Sequence, residues 1–219
     1  MKSVLVIGLG RFGRHVARKL NEQNHQVLAV DKDEKSVNAI LPFVEDAQIG
    51  DTTDEDFLDT LGVRDFDICY VCIGDNFQSS LETTAFLKEK GAQFVVSRAS
   101  RDVHAKFLLR NGADEVVYPE KQMAEWAAIR FTSSEMMDYF ALDAGNGIFE
   151  MKTPEKWIGR TVGELNLRKK FDINILGIKK GEELSLNITP DTVFEKGTAL
   201  IVLGEDKKVH KCFKPSVIW

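Results

Sequence analysis

The stretch Lys2-Ser-Val-Leu-Val-Ile-Gly-Leu-Gly-Arg-Phe-Gly13, followed by Val27-Leu-Ala-Val-Asp31, decides the fold of this 219-residue chain. Its apolar run Val4 to Ile7 reads as a buried strand that enters a turn at Gly8, Gly10 and Gly13. A helix then runs to about Glu22, and a second apolar strand ends in an acid. Strand, glycine turn, helix and strand-terminal acid together make a dinucleotide-binding βαβ unit. Gly8 permits the tight turn, Gly10 lets a phosphate approach the backbone, and Gly13 lets the helix pack on the strand. The helix start presents free N–H groups and its positive dipole end to phosphates. Asp31, with Lys32 next to it, stands where a carboxylate accepts hydrogen bonds from both hydroxyls of an adenosine ribose. A 2′-phosphate would meet that carboxylate, which argues against NADP.

Outward from this unit the rhythm of short apolar runs and helical stretches continues to residue 118. Asp33 reads as the N-cap of a helix over 34–41, followed by a strand over 47–49, a helix over 54–61 and a strand over 68–73. A long amphipathic helix over 77–90, a strand over 94–97, a helix over 102–111 closed by Gly112, and a strand over 115–118 complete the series. Six strands separated by helices predict a Rossmann-type, doubly wound parallel α/β sheet. Its ligand belongs at the carboxyl ends of the strands. Candidate binding residues there are Gly50, Asp51 and Thr52 after the third strand, Ile73, Gly74 and Asn76 at the end of the fourth, and Arg98 at the end of the fifth. Arg98 is a cation that can answer phosphate charge. Arg11 and Phe12 sit inside the glycine loop, where the guanidinium faces bound phosphates, a neighbouring subunit or solvent.

Past Pro119 the pattern changes. A helix over 120–131 has no strand after it in the established rhythm, and 132–137 reads as a hinge or helix end. The expected organisation is a nucleotide-binding domain over 1–119, a helix and hinge over 120–137, and a small α+β domain over 138–219. Within that last part, strands over 147–151, 174–179 and 199–203 surround a short helix that starts at Thr161, with capping-box spacing to Glu164.

A net charge of −5 argues against nucleic acid as a partner. No apolar run approaches the roughly 20 residues of a membrane span, and the chain opens on a strand instead of a signal peptide, so a cytoplasmic location is expected. Three cysteines fit a reducing compartment. Cys69 and Cys72 have redox or metal-pair spacing, but side chains alternate along a strand, so the two point to opposite faces and read as core. His15, His25, His104 and His210 are scattered; His15 reads as structural. No catalytic constellation stands out, which leaves an NAD-dependent oxidoreductase as the alternative to a nucleotide sensor without catalysis.

Ile7-Gly-Leu-Gly-Arg-Phe-Gly13, Leu28-Ala-Val-Asp31, Gly50-Asp-Thr-Thr-Asp54, Leu61-Gly62-Val63, Cys72-Ile-Gly-Asp-Asn76 and Gly112-Ala-Asp-Glu-Val-Val-Tyr-Pro-Glu-Lys121 resemble the RCK (KTN) domain of the KtrA/TrkA family of potassium-uptake regulators. Leu165-Asn-Leu-Arg168, Ile175-Leu-Gly-Ile178 and the 188–204 stretch are similar to the C-terminal RCK domain of that family, so the resemblance covers essentially the whole chain. It implies a regulatory subunit that binds ATP, ADP or NAD(H). It also implies dimers assembling into an octameric ring on the cytoplasmic face of a KtrB/TrkH-like potassium-translocating membrane subunit. The helix after Pro119 would cross between partner protomers, and Arg11 would reach the terminal phosphate of ATP bound in a neighbour. Glu120 matches a carboxylate that holds a divalent or monovalent cation between paired nucleotide sites; an acid favoured by the helix dipole is the structural alternative. Cyclic di-AMP bound at the C-terminal domain is a further property of some relatives.

Overall fold

The computed structural model describes residues 1–143 and 145–213; the last residues of the expected C-terminal domain, 214–219, lie outside the described ones. The chain divides into two compact units, Met1–Gln122 and a second from Met123 onward.

In the first unit β1 (Ser3–Ile7), α1 (Arg11–Glu22), β2 (Gln26–Asp31), α2 (Glu34–Ile40), β3 (Asp46–Ile49) and α3 (Glu55–Thr60) form one half. β4 (Ile68–Val71), α4 (Phe77–Glu89), β5 (Val95–Arg98), α5 (Asp102–Arg110) and β6 (Glu115–Val117) form the other. The strands lie in the order β3-β2-β1-β4-β5-β6, all pairs parallel. This is the Rossmann order, with its switch point between β1 and β4.

Two-sided burial explains why β1 reads as a continuous apolar run. Leu5 and Ile7 pack with Leu58, Leu61 and Leu87 on one face of the sheet. Val4 and Val6 pack with Ala17, Val37 and Ile40 on the other. Cys69 and Cys72 fall in those two opposite clusters, as the strand alternation requires. Burial pushes both thiols up to about 12, so they are inert at neutral pH.

Two expectations need correction here. β4 ends at Val71, before the anticipated Ile73. Cys72 still donates its N–H to the Ile7 carbonyl at 2.7 Å, and the chain then passes so close to the glycine turn that a Cβ on Gly8 would lie 3.0 Å from the Ile73 backbone nitrogen. α4 is not amphipathic in the usual sense, because its buried face carries Ser80, Thr83 and Thr84 beside Leu87. Two of these hydroxyls bond across the interior, Thr83 to Thr52 at 2.9 Å and Thr84 to Ser97 at 2.9 Å; Thr84 also bonds back along its own helix to the Ser80 carbonyl at 2.7 Å, and the Ser80 hydroxyl is buried without a partner.

α6 (Pro119–Phe131) begins in the first unit and ends in the second, and none of its residues is fully buried. The second unit then holds β7 (Met136–Ala141), β8 (Asn146–Lys152), α7 (Val162–Leu165), α8 (Leu167–Phe171), β9 (Asn174–Lys180), β10 (Glu183–Ser185), β11 (Thr198–Glu205) and α9 (Asp206–Phe213). Its sheet is antiparallel, in the order β10-β9-β11-β8-β7. The capping box at Thr161 and Glu164 is present with both hydrogen bonds.

The sequence pattern predicts three strands here, and five occur among the described residues. β7 starts inside the stretch read as a hinge; it is an edge strand whose only fully buried residue is Met136, so it lacks apolar alternation. β10 is three exposed residues. α9 was not anticipated, yet Val209, Cys212 and Phe213 bury at helical spacing.

Candidate functional site

The glycine loop is built by its neighbours. Gly8 adopts φ +88°, a conformation that side-chain-bearing residues rarely reach. A Cβ on Gly13 would fall 1.9 Å from the Gly8 carbonyl oxygen, so only glycine lets α1 start this close to the strand end. Leu9, between the first two glycines, is fully buried and anchors the loop in the core. Its N–H donates to Asp31 Oδ2 at 2.6 Å, and the Asp33 N–H donates to Asp31 Oδ1 at 2.8 Å. A carboxylate offers about four acceptor positions, so Asp31 fixes the loop and keeps one lone pair on each oxygen for a ligand.

Above this loop lies a cavity of about 650 Å³ at the carboxyl ends of the first unit's strands. Its volume falls within the roughly 300–1,000 Å³ of small-molecule sites. Gly8, Gly10, Arg11 and Phe12 line it from the first turn, Asp31 and Lys32 from the end of β2, and Gly50, Asp51 and Thr52 from the end of β3. Ile73, Gly74 and Asn76 follow β4, Arg98 ends β5, and Glu120 opens α6. Gly13 does not line the cavity; its role is the packing just described.

The local chemistry favours an anion at the loop. Around Gly10 there is open space where a Cβ would stand, and α1 begins without a side-chain cap, so its first N–H groups remain available. α2 and α4, by contrast, are capped by Asp33 and Asn76. Asn76 Oδ1 accepts from the Ser79 N–H at 3.1 Å, which leaves the amide NH₂ as its donor toward the cavity. Thr53 donates from both its N–H and its hydroxyl to Asp51, and with the Lys32 charge these hold the Asp51 carboxyl below its ordinary value against the pull of burial.

Arg98 crosses the floor. A Cβ on Gly74 would lie 1.9 Å from its Nη1, so Gly74 admits this guanidinium. Nη2 donates to Glu120, the Phe12 ring lies 6.0 Å from the guanidinium carbon, and Nε is buried with no hydrogen-bond partner. Burial raises the Glu120 carboxyl, but its own backbone N–H, the Arg98 bond and the charges of Arg98 and Arg11 outweigh that and hold it below its ordinary value. Among the described residues no three His, Cys, Asp or Glu side chains gather as a metal site around Glu120 or elsewhere.

The cavity also takes in residues outside the set read from sequence: Ile7, His15, Ser36, Cys72, Asp75, Ser79 and Pro119. His15 is not a packed structural histidine: it is exposed and shares the cavity with Arg11, one helical turn before it. Ser36 and Ser79 stand in the first turns of α2 and α4, so continuing from each strand end into the following helix would have found them.

A doubly wound nucleotide-type cavity joined to a small antiparallel unit defines the class, and comparison with known proteins places the chain within it. The TrkA-N domain matches residues 4–119 and the TrkA-C domain residues 148–215. The chain is 39% identical over 203 residues to the Ktr system potassium uptake protein C of Bacillus subtilis, covering 93% of this chain and 92% of that protein. It is 33% identical over 210 residues to the Ktr system potassium uptake protein A of the same organism, covering 96% and 95%. The chain therefore belongs to the TrkA/Ktr family of RCK proteins. In fold it resembles the GsuK channel bound to NAD, with a TM-score of 0.69 at 19% identity over 98% of this chain and 40% of that one.

Proposed function

We propose that the protein is the nucleotide-sensing regulatory subunit of a potassium uptake system, in which ligand binding is spent on conformation instead of chemistry. The observation that carries this reading is full-length similarity to Ktr potassium uptake proteins in a chain whose cavity surrounds the glycine loop and Asp31. The ligand is ATP, ADP or NAD(H). Its adenosine ribose sits on Asp31 and Lys32, and its phosphates lie over Gly8, Gly10 and the start of α1, with Phe12, Gly50, Asp51, Thr52, Ile73, Gly74, Asn76 and Arg98 around them. Arg11 reaches the phosphates of a neighbouring protomer. Glu120 supplies one ligand to a cation shared between paired sites.

Residues 1–119 serve as the nucleotide domain and 138–219 as the C-terminal domain, with 120–137 between them as the crossover segment. Dimers assemble into an octameric ring, cytoplasmic and peripheral to a KtrB/TrkH-like membrane subunit. No helix among the described residues is long and apolar enough to cross a membrane. Cyclic di-AMP has a candidate place in the second unit, a cavity of about 330 Å³ that includes Asn166, Arg168, Asn174 and Pro190.

Thermal unfolding against ATP, ADP, NADH, NADPH and cyclic di-AMP, with light scattering on each sample, tests the reading. A ligand at 100 times its dissociation constant adds roughly 2.7 kcal/mol of stability. ATP and ADP are expected to stabilise the protein and alter a large assembly, and Asp31→Ala is expected to weaken both about 100-fold through loss of charge-assisted hydrogen bonds. Stabilisation by NADH alone, on a small oligomer indifferent to ATP, would overturn the reading in favour of an oxidoreductase.

A further inference from the structure

We propose that the Arg98–Glu120 ion pair makes the cavity discriminate ligands by how their phosphate chain ends. It separates a nucleoside di- or triphosphate, whose free anionic terminus takes the Arg98 guanidinium from Glu120, from a dinucleotide, whose chain is capped by a second nucleoside. This rests on the adenine-nucleotide reading above and adds the property that selects among such nucleotides.

The path of a ligand follows from the sheet. Asp31 ends β2 on one side of the switch point, and the glycine loop follows β1 at its centre. A chain of phosphates that starts at an adenosine on Asp31 and crosses the loop arrives next at the ends of β4 and β5, where Gly74 and Arg98 stand. What occupies that place is the end of the phosphate chain in ADP or ATP and the second nucleoside in a dinucleotide.

The two partners are unequal. Arg98 is largely buried, at 16% side-chain exposure, packed against Gly74, and its Nε lacks a partner. A buried guanidinium with an unmade hydrogen bond gains from an anion that presents several oxygens. Glu120 is 58% exposed. Its carboxylate also belongs to the first turn of α6, where the helix dipole favours an acid, so release from Arg98 does not leave it stranded. An exposed carboxylate is the partner that gives way, and a phosphate terminus is the ligand group that replaces it. A capped chain brings no such terminus, and the pair stays closed.

Titration calorimetry with ATP, ADP and NAD, without divalent cations, on wild type, Glu120→Gln, Arg98→Gln and the double variant tests this. Glu120→Gln removes the competing carboxylate and is expected to raise the ATP-to-NAD affinity ratio about three- to fivefold, the scale of a partly exposed ion pair. Arg98→Gln should lower the ratio below wild type, and Glu120→Gln should then add nothing in that background. Arg98→Lys takes its place in the cycle should Arg98→Gln not fold, and is expected to shrink the effect of Glu120→Gln. An unchanged ratio in Glu120→Gln, or the same rise with and without Arg98, overturns the proposal while leaving the nucleotide reading intact. Absence of any adenine-nucleotide binding to the wild type overturns both.

Discussion

The two units fill their interiors by different means. Against the parallel sheet, α4 buries Ser80, Thr83 and Thr84; Thr83 reaches Thr52 on the cavity loop, Thr84 reaches Ser97 next to Arg98, and the Ser80 hydroxyl has no hydrogen-bond partner. His104 on α5 is also fully buried, its ring 4.9 Å from that of Phe77. The antiparallel unit instead closes around Phe149, Trp157, Phe194 and Phe213, with ring contacts of 5.8 Å between Trp157 and Phe194 and 4.9 Å between Trp157 and Phe213. Hydrogen bonds are directional and fix where groups sit, whereas apolar packing supplies stability with less regard to angle. The unit with the larger of the two cavities wires its core through two fully buried hydroxyl pairs, whereas the second unit has the half-buried Thr153–Thr198 pair at 2.7 Å.

The largest expected effect lies on the apolar side. Phe149 is fully buried on β8, and Phe149→Ala should cost about 3–5 kcal/mol through lost burial and the cavity left behind. All three tryptophans, Trp126, Trp157 and Trp219, lie beyond Gln122, so fluorescence excited at the indole band follows the second unit alone. The denaturation midpoint read that way should fall while nucleotide affinity holds. A comparable loss of nucleotide affinity would break the contrast between the units.

A smaller effect comes from His104. Burial, then the charges of Arg101 and Arg98, push this imidazole below its ordinary value of 6.5. Nδ1 pairs with the Ser100 N–H and hydroxyl at 3.3 Å each, and Nε2 is buried without a partner. A group whose folded value is depressed protonates first in the unfolded chain. Its contribution to stability is therefore fully present above about pH 6.5 and is lost as pH falls below it, by at most about 1.4 kcal/mol per pH unit until the folded value is reached. Amide exchange of the β5 strand between pH 7 and pH 5.5 should reveal this loss, and His104→Gln should flatten it. Equal slopes in wild type and variant would remove His104 as the cause.

The same contrast governs what could be read from the sequence. Gly8, Gly13 and Asp31 were legible because each has a steric or hydrogen-bonding task no other residue type does as well, and β1, β2, β4 and β5 because burial between two layers makes apolar runs; the edge strands β3 and β6, with no fully buried residue, follow from the rhythm of the others. Thr52 was named as a cavity residue, but its bond to Thr83 was not visible, since hydroxyls on a helix read as solvent-facing until the helix's neighbours are known. Ser36, His15 and Ser79 escaped for a related reason: a single polar residue one turn into a helix has no pattern of its own. In the second unit β7 and β10 lie at sheet edges, where one face or both meet solvent and alternation fades. Glu120 and Arg98 were both named, yet their pairing is a contact across 22 residues that only the fold brings together.

The finest test of the contrast is Thr83→Val, which keeps shape and removes one hydroxyl. Thr83 Oγ1 lies 2.9 Å from Thr52 Oγ1 and donates to the Thr52 carbonyl at 3.3 Å, all in a fully buried setting. Loss of such a bond costs about 1 kcal/mol, with a further penalty if the Thr52 hydroxyl is left unpaired. Stability alone would not separate a positioning role from simple packing, because either loses about that much. The Gly50–Thr52 loop lines the cavity on the side proposed for the adenosine, so a positioning role predicts that ADP affinity drops along with stability, and that Thr83→Ser, which keeps the hydroxyl, restores the affinity even though it loses a methyl group. If Thr83→Ser and Thr83→Val lose the same affinity, the hydroxyl wiring under α4 does not hold the cavity in shape, and the two units differ in composition alone.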